Sequence, residues 1–196
     1  MSVLLKDPKF LSQLFRFWSK LMPLINSHQF TRNGGPIIAV QIENEYFSAP
    51  LPDGHDLAYL EALRNFVRKS GFRELLFTSD PVQVAHTNPI RSLGDLLETA
   101  NLNENATAEL RLLAQSQPGR PIYVSEFWPG WFDSWGDSTH HRYGMDRFDR
   151  FLEQVLFQFN GSGINFYMFI GGIWLDVASF CLVNFNKTYR YQFWLL

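Results

Sequence analysis

The chain contains little cysteine and little excess charge, and both facts exclude classes of function. Cys181 is the only cysteine among 196 residues, so an internal disulfide framework and a cysteine-based metal site are excluded. The formal net charge is −2, which gives no electrostatic reason to expect nucleic acid or an acidic membrane as a partner. Glycine-rich phosphate-binding patterns are absent, and His140-His141 shows no metal-ligand spacing and is expected in a polar loop. We therefore expect no cofactor and no metal.

Long apolar segments are also absent. No run of about 18 uncharged apolar residues occurs, so no membrane span is expected. Lys6, Asp7 and Lys9 interrupt the N-terminal stretch, which does not have the pattern of a signal peptide. With 46% hydrophobic residues, the chain is long enough for one domain with a sizeable core.

An apolar run followed by carboxylates stands out at residues 34–46, GGPIIAVQIENEY. Its nearly continuous apolar stretch at residues 37–42 is typical of a strand buried on both faces of a parallel sheet. Glu43, Asn44 and Glu45 follow at the C-terminal end, where enzymes of the parallel barrel type place catalytic groups. A carboxylate beside an amide can serve there as a general acid. The alternative is a pair of solvated glutamates in a loop.

A second strand that ends in a carboxylate lies at residues 121–136, PIYVSEFWPGWFDSWG. The short apolar strand at residues 122–124 is followed by Glu126 and then by a cluster of tryptophans. Such a carboxylate can attack or stabilise an anomeric carbon, and flat aromatic rings can lie against the C–H face of a pyranose. The tryptophans fit neither helical nor strand periodicity, which favours a binding wall on a loop over a core position. They are Trp128, Trp131 and Trp135.

Helices and strands alternate along the chain, which predicts a parallel sheet covered by helices. Apolar residues recur at helical spacing, and Asp7-Pro8 is a typical helix start. The predicted helices cover about residues 8–26, 57–70, 106–115 and 148–159. The predicted strands are residues 37–42, 74–78, 98–102 (a poor candidate), 122–124 and 164–169.

Together these segments resemble glycoside hydrolase family 35, the β-galactosidases. The family's first signature reads Gly-Gly-Pro-Ile-Ile, two variable residues, Gln, one variable residue, then Glu-Asn-Glu-Tyr-Gly. The chain matches it at residues 34–46 and then has Phe47 in place of glycine. A second family segment matches residues 125–136, with Trp128 in place of tyrosine. A third, Asn-x-Tyr-Met-Phe-x-Gly-Gly, matches residues 165–172.

The resemblance implies an α/β fold, an incomplete (β/α)8 TIM barrel with strands four to eight and their helices. Residues 1–172 would form this partial catalytic barrel, and residues 173–196 a divergent tail without family match. Five strands of eight cannot close a barrel of that geometry. We therefore expect a truncated catalytic-domain fragment or isoform.

The resemblance also implies retaining hydrolysis of terminal β-D-galactosyl residues by double displacement. Glu126 would be the nucleophile and Glu45 the acid/base. Glu43 would support them, on the same side as Glu45 if the strand stays regular. The substrate-binding residues would be Asn44 at the sugar 2-hydroxyl, Trp128 and Trp131 in the sugar wall, and Tyr167, which would orient Glu126.

The implied partner is a β-galactoside glycan, while the oligomeric state is left open. Sequons at Asn105, Asn160 and Asn186 fit a glycoprotein, so the full-length parent is expected in the lysosome, the vacuole or outside the cell. Three functions remain open. The chain is an active β-galactosidase-like hydrolase, a galactoside-binding module without turnover, or a poorly folded product of a truncated message.

Overall fold

A parallel sheet of five strands organises the structure. The computed structural model describes residues 7–48, 55–86, 93–103, 106–131, 133, 137–139, 141 and 144–167. The strands lie side by side in chain order, and each pairs in parallel with the next. They are β1 (Ala39–Gln41), β2 (Leu75–Pro81), β3 (Leu96–Leu102), β4 (Tyr123–Phe127) and β5 (Gly163–Phe166). This order of parallel strands with intervening helices confirms the partial (β/α)8 barrel.

Two helices precede β1, and the others connect successive strands. They are α1 (Pro8–Asn26), α2 (Phe30–Asn33), α3 (Leu57–Lys69), α4 (Val82–Ala85), α5 (Ala106–Ser116) and α6 (Met145–Glu153), and residues 154–158 continue α6 as a turn of π-helix. A 3₁₀ turn covers Tyr46–Ser48. The predicted start of α1 is confirmed, because the Asp7 side chain accepts a hydrogen bond from the Lys9 backbone N–H at 2.8 Å.

Two hydrophobic cores lie between the sheet and its helices. The first joins α1 and α3 to β1 and β2, with Leu60, Leu63 and Leu76 almost fully buried. The second joins α5 and α6 to β3 and β4 around Leu110 and Val124. Because each core ties helices to neighbouring strands, the sheet is held in position by apolar burial on its helical face.

Two glycines have conformations or contacts that other residues would disturb. Gly34 ends α2 with φ at 66°, in the left-handed region that favours glycine. At Gly35 an added Cβ would lie 2.1 Å from the His28 carbonyl oxygen. The Gly-Gly pair before β1 therefore serves the backbone turn that leads into the strand.

The structure corrects the prediction that β1 is buried on both faces. β1 has only three residues, and the neighbouring Ile38 is 68% exposed. The reason is position, because β1 lies at the edge of the sheet and pairs only with β2. Conversely, β3 is a seven-residue strand that is buried throughout, although its sequence made it the poorest candidate. Its polar Glu98 is accommodated because Ser116 Oγ donates to its carboxylate at 2.9 Å.

Some sequence predictions lie outside the described residues. The last part of the third motif, residues 168–172, and the tail, residues 173–196, belong to this group. Among the helices that the structure describes, none combines the length and the apolar character that crossing a bilayer requires.

The second core should depend strongly on Leu110, which is fully buried. We expect Leu110→Ala to lower the free energy of unfolding by about 2–5 kcal/mol, because it removes buried methyl groups and leaves a cavity. The control is Leu24→Ala on α1, where the side chain is 70% exposed and a change within about 0.5 kcal/mol is expected. Urea unfolding followed by circular dichroism measures both. Equal losses at the two positions would contradict this assignment of the core.

Candidate active site

Polar side chains gather where the parallel strands end. Glu45 follows β1, and Tyr167 follows β5. Asp80, Asn101 and Glu126 are each the last residue but one of their strands, β2, β3 and β4. The carboxyl ends of parallel strands form one edge of the sheet, the edge at which barrel enzymes carry their active sites. Burial raises the pKa of Glu45, and the negative charge of Glu126 contributes to this raised pKa. The structure thus brings together the two glutamates that the sequence singled out.

The loop after β1 sets the direction of Glu45. Glu43 and Glu45 have φ angles of 62° and 52°, so both occupy the left-handed region that residues with side chains seldom adopt. The end of β2 holds this loop, because Glu45 N–H donates to the Ser79 carbonyl at 2.8 Å and Phe47 N–H donates to the Asp80 carboxylate at 3.1 Å. A strained conformation is thereby fixed by ordered neighbours.

This loop corrects the assumption of a regular strand up to Glu45. The extended segment ends at Gln41, and the two glutamates after it have different partners. Glu43 accepts a hydrogen bond from the Tyr59 hydroxyl of α3, whereas Glu45 accepts one from Asn101 of β3. Glu43 is therefore tied to the helical layer, and it supports the loop from outside.

An extra residue in β4 sets the direction of Glu126. In the pairing of β3 with β4, Ala100 faces Val124 but Asn101 faces Glu126, so Ser125 is an additional residue on β4. Such a β-bulge shifts the alternation of side chains between the two faces of a sheet. Without it, Glu126 would share the face of Val124, which is fully buried in the second core. With it, Glu126 becomes the neighbour of Asn101.

Asn101 lies on β3, between the strands that carry the two glutamates, and sequence analysis missed it. Its side-chain N–H donates to Glu45 Oε1 at 2.5 Å, and Asn101 is the register partner of Glu126. The side chain is mostly buried, at 8% exposure. A signal was present in the sequence, because an amide at the end of the third strand lies between strands that end in carboxylates. The low strand propensity of this segment concealed it.

Aromatic rings lie directly beside Glu126. Trp128 Nε1 donates to Glu126 Oε1 at 2.7 Å. The centroid of the Trp128 ring lies 4.7 Å from that of Trp131 and 4.2 Å from that of Tyr167. Trp131 and Tyr167 are 40% and 39% exposed, so these rings form a wall that a ligand can reach. The family resemblance implies a hydrogen bond from Tyr167 to Glu126. In the described part of the chain, the Trp128 indole donates to Glu126 and Tyr167 packs on the indole, and the orienting role of Tyr167 stays a prediction.

The remaining predicted residues have these positions. Asn44 is exposed beside Glu45, and its Oδ1 accepts from Gln41 Nε2 at 3.1 Å. Trp135 lies outside the described residues.

His141 belongs to a group that sequence analysis did not anticipate, because its ligand atoms lie within 4.8 Å of those of Asp133 and Asp137. His141 Nδ1 lies 3.2 Å from the Asp133 carboxylate and 3.6 Å from that of Asp137, so the three residues serve as partners for one another and we assign no metal to them.

Burial and like charge raise the pKa values at this edge. Burial raises the pKa of Glu45 above its usual range, and the nearby charge of Glu126 adds to the effect. Burial raises the pKa of Asp80 to about 6, with a further contribution from Glu45 and a partly opposing hydrogen bond from Phe47 N–H. A carboxyl that keeps its proton towards neutral pH can donate it to a substrate oxygen.

A partial barrel with two neighbouring glutamates and an aromatic wall at the carboxyl ends of its strands has the architecture of a barrel glycosidase. The catalytic domain of family GH53 from Ignisphaera aggregans is similar in structure, with a TM-score of 0.55, 16% identity, and coverage of 81% of this chain and 54% of that one. At this level of identity the likeness shows the fold alone.

The chain belongs to glycosyl hydrolases family 35, whose family model matches residues 1–192. The match extends beyond the three motifs, and the division of the chain at residue 172 stays a prediction. The beta-galactosidase of Xanthomonas manihotis is 38% identical over 176 residues, which are 85% of this chain and 26% of the relative. Beta-galactosidase-1-like protein 3 of Mus musculus is 34% identical over 165 residues, which are 83% of this chain and 23% of the relative. The chain thus spans about a quarter of the length of these relatives.

The mutual influence of the glutamates can be measured directly. We expect Glu126→Gln to lower the pKa of Glu45, because the change removes a nearby negative charge, while burial keeps that pKa above its ordinary value. Glutamine retains an oxygen that can accept from the Trp128 indole. Titration of the ¹³C-labelled side-chain carboxyls by NMR gives the values. The control is Glu61→Gln on α3, which pairs with Arg64 and should leave Glu45 unchanged. An unchanged pKa of Glu45 in Glu126→Gln would show that the two groups are not neighbours.

Asp80 should make stability fall as pH rises. Its pKa is about 6 in the folded chain against an ordinary 3.8, so the folded state holds the proton more tightly than the unfolded state. This contribution is fully present below about pH 4 and is lost as pH rises through about 6. We expect Asp80→Asn to gain stability relative to the parent across this window, by at most about 3 kcal/mol at 1.36 kcal/mol per pKa unit.

The measurement is urea unfolding of Asp80→Asn and the parent between about pH 4 and pH 7. Asparagine keeps an oxygen that can accept from Phe47 N–H, so the contact should survive the change. Leu24→Ala, at an exposed position on α1, changes no titratable group; it is the control and should give a difference that does not vary with pH. A flat difference for Asp80→Asn as well would exclude a raised pKa.

Proposed function

We propose that this chain carries the catalytic pair of a retaining β-galactosidase, which hydrolyses terminal β-D-galactosyl residues by double displacement. The observation that supports the proposal is the position of Glu45 and Glu126 at one sheet edge, with Asn101 in contact with Glu45 and in register with Glu126. Retaining enzymes use two carboxyls about 5–5.5 Å apart. The names of the relatives support a β-galactoside as the substrate.

Glu126 is the proposed nucleophile. In the first step its carboxylate attacks the anomeric carbon and forms a glycosyl-enzyme ester, while the bond to the leaving oxygen breaks. The Trp128 indole donates to one carboxylate oxygen, which orients the group. Because the indole contacts Oε1, the other oxygen, Oε2, is the one proposed to attack.

Glu45 is the proposed acid in the first step and the base in the second. Its raised pKa keeps the proton available for the leaving oxygen. Once Glu126 forms the ester, its negative charge is gone and one cause of that raised pKa disappears. Glu45, which has given its proton to the leaving oxygen, then stays ionised more readily. In that form it can accept a proton from the attacking water. A single pair of carboxyls thus supplies both roles in turn.

Asn44 and the aromatic wall are proposed to hold the sugar. Asn44 is exposed next to Glu45, where its amide can reach a ring hydroxyl, and hydrogen bonds to the 2-hydroxyl strengthen in the transition state. Trp131 and Tyr167 flank Trp128 and offer accessible ring faces to the C–H surface of a pyranose. For the parent protein we propose a lysosomal, vacuolar or extracellular location. Asn160, the described sequon residue, is exposed at the end of the α6 segment and is compatible with glycosylation.

The nucleophile can be identified by covalent trapping. We expect a 2-deoxy-2-fluoro-β-galactosyl probe with a good leaving group to label Glu126, because the first step proceeds while the fluorine slows release. Long incubation lets the label accumulate even where turnover is slow. Peptide mass spectrometry locates the label in the parent chain and in Glu126→Gln, with Glu153→Gln as the control at an exposed site. A label that persists in Glu126→Gln, or that lies on another residue, would contradict the assignment.

A second candidate is a galactoside-binding module with little turnover, and the five-stranded sheet favours it for the isolated chain. Ring contacts from the other strands of an eight-stranded barrel are not part of this sheet, and a misplacement of about 1 Å can cost about a hundredfold in rate. We expect the purified 196-residue chain to hydrolyse a chromogenic β-galactoside far more slowly than about 10 per second at pH 4–7. Galactose-dependent thermal stabilisation without turnover would support binding alone, and a rate within about tenfold of that value would contradict the expectation.

A further inference from the structure

A cavity of about 480 Å³ lies apart from the glutamate pair, between the start of α5 and the α6 segment. It shares no lining residue with the candidate active site. One wall of the cavity is formed by the first turn of α5 and a residue one turn further along that helix. The opposite wall is formed by one face of α6 and the π-helical turn that follows it. The lining residues are Ala106, Thr107, Ala108, Arg111, Arg147, Arg150, Phe151 and Gln154.

The charge of this cavity is positive. Three of its lining residues, Arg111, Arg147 and Arg150, are arginines, and no lining residue is a carboxylate. Like charges that face one space repel each other, and an anion placed between them reverses that effect. Guanidinium groups present two parallel N–H donors that match the oxygens of sulfate and phosphate.

Two of these arginines are available to a ligand. Among the residues that the structure describes, neither the Arg111 nor the Arg150 side chain forms a hydrogen bond or ion pair, and both are exposed. The nearest carboxylate on α5, Glu109, is directed to α4, where it contacts Gln83 and the backbone N–H of Val82. The carboxylates of the α6 segment do not line the cavity. They are Asp146, Asp149 and Glu153.

The other lining groups indicate a ligand larger than a free anion. Thr107 supplies a hydroxyl, Gln154 an amide, and the first turn of α5 backbone N–H groups without partners inside the helix. A cavity of about 480 Å³ also lies in the size range of small-molecule sites and exceeds what one sulfate ion fills. Hydroxyl and amide groups beside arginines fit a sugar that carries an oxyanion.

We infer that this cavity binds a small sugar that carries a sulfate or phosphate group, with the oxyanion held by Arg111 and Arg150 and the sugar hydroxyls by Thr107 and Gln154. The site is separate from the catalytic pair, so the inference does not depend on turnover by the chain.

The test measures binding to the 196-residue chain by isothermal titration calorimetry. The probes are galactose 6-sulfate, inorganic sulfate, galactose and sodium chloride, all at one ionic strength. Arg111→Gln and Arg150→Gln should each weaken binding of galactose 6-sulfate about tenfold, because each removes a charged hydrogen bond. Arg150→Lys should weaken it less than Arg150→Gln, since it keeps the charge but loses the paired donors. Arg16→Gln, an exposed arginine of α1, is the control and should bind like the parent.

The outcomes separate the possible ligands. Tighter binding of galactose 6-sulfate than of sulfate or galactose, lost in the two glutamine variants, supports the inference. Equal binding of galactose 6-sulfate and inorganic sulfate would overturn the role of the sugar. No binding beyond the effect of chloride, or binding that survives in Arg111→Gln and Arg150→Gln, would overturn the site itself. Circular dichroism melts of each variant without ligand show that loss of binding is not loss of fold.

Discussion

The extra residue in β4 is the constraint on which the site depends. Ser125 shifts the register between β3 and β4 by one position, so that Glu126 leaves the face of Val124 and lies beside Asn101. Asn101 in turn donates to Glu45, which follows a strand two places away in the sheet. One inserted residue therefore decides which face of the sheet Glu126 occupies. A regular β4 would direct Glu126 into the apolar second core, where an ionised carboxylate is costly.

A chain of buried hydroxyls stabilises this irregularity. Thr99 Oγ1 donates to Ser125 Oγ at 2.5 Å, and Ser125 Oγ donates to Ser79 Oγ at 2.7 Å, so the bulged residue has one partner on the neighbouring β3 and one on β2. Ser79 also accepts the backbone N–H of Glu45 through its carbonyl. Because buried polar groups must be hydrogen-bonded, this small set of side chains fixes the bulge and the Glu45 loop together. Strain at the positive φ angles of Glu43 and Glu45 is held by the same neighbours.

Much of the fold could be predicted from the sequence, because local signals and global order agree. The cap at Asp7, the helical spacing of α1 and the apolar strand at residues 122–124 are written in neighbouring residues. The two glutamates could also be found, since each follows an apolar run. Their partners could not, because Asn101 lies in a strand of low propensity whose burial depends on tertiary contacts.

The directions of side chains were the least predictable feature. A register shift has no local signature, so the alternation rule counted from Val124 places Glu126 on the wrong face. The same limit explains Glu43, whose contact with Tyr59 requires the left-handed turn after β1. The prediction that Ile38 is buried was wrong for a different reason. The edge position of β1 follows from the number of strands in the sheet.

The central claim is that Glu45 and Glu126 form one catalytic pair, and a crystal structure of the chain at high resolution tests it most directly. We expect the two carboxyl groups to lie about 5–5.5 Å apart, the separation of retaining glycosidases, with Asn101 in contact with Glu45 and the bulge at Ser125 in place. A separation of more than about 9.5 Å, beyond the range of inverting enzymes as well, would contradict it.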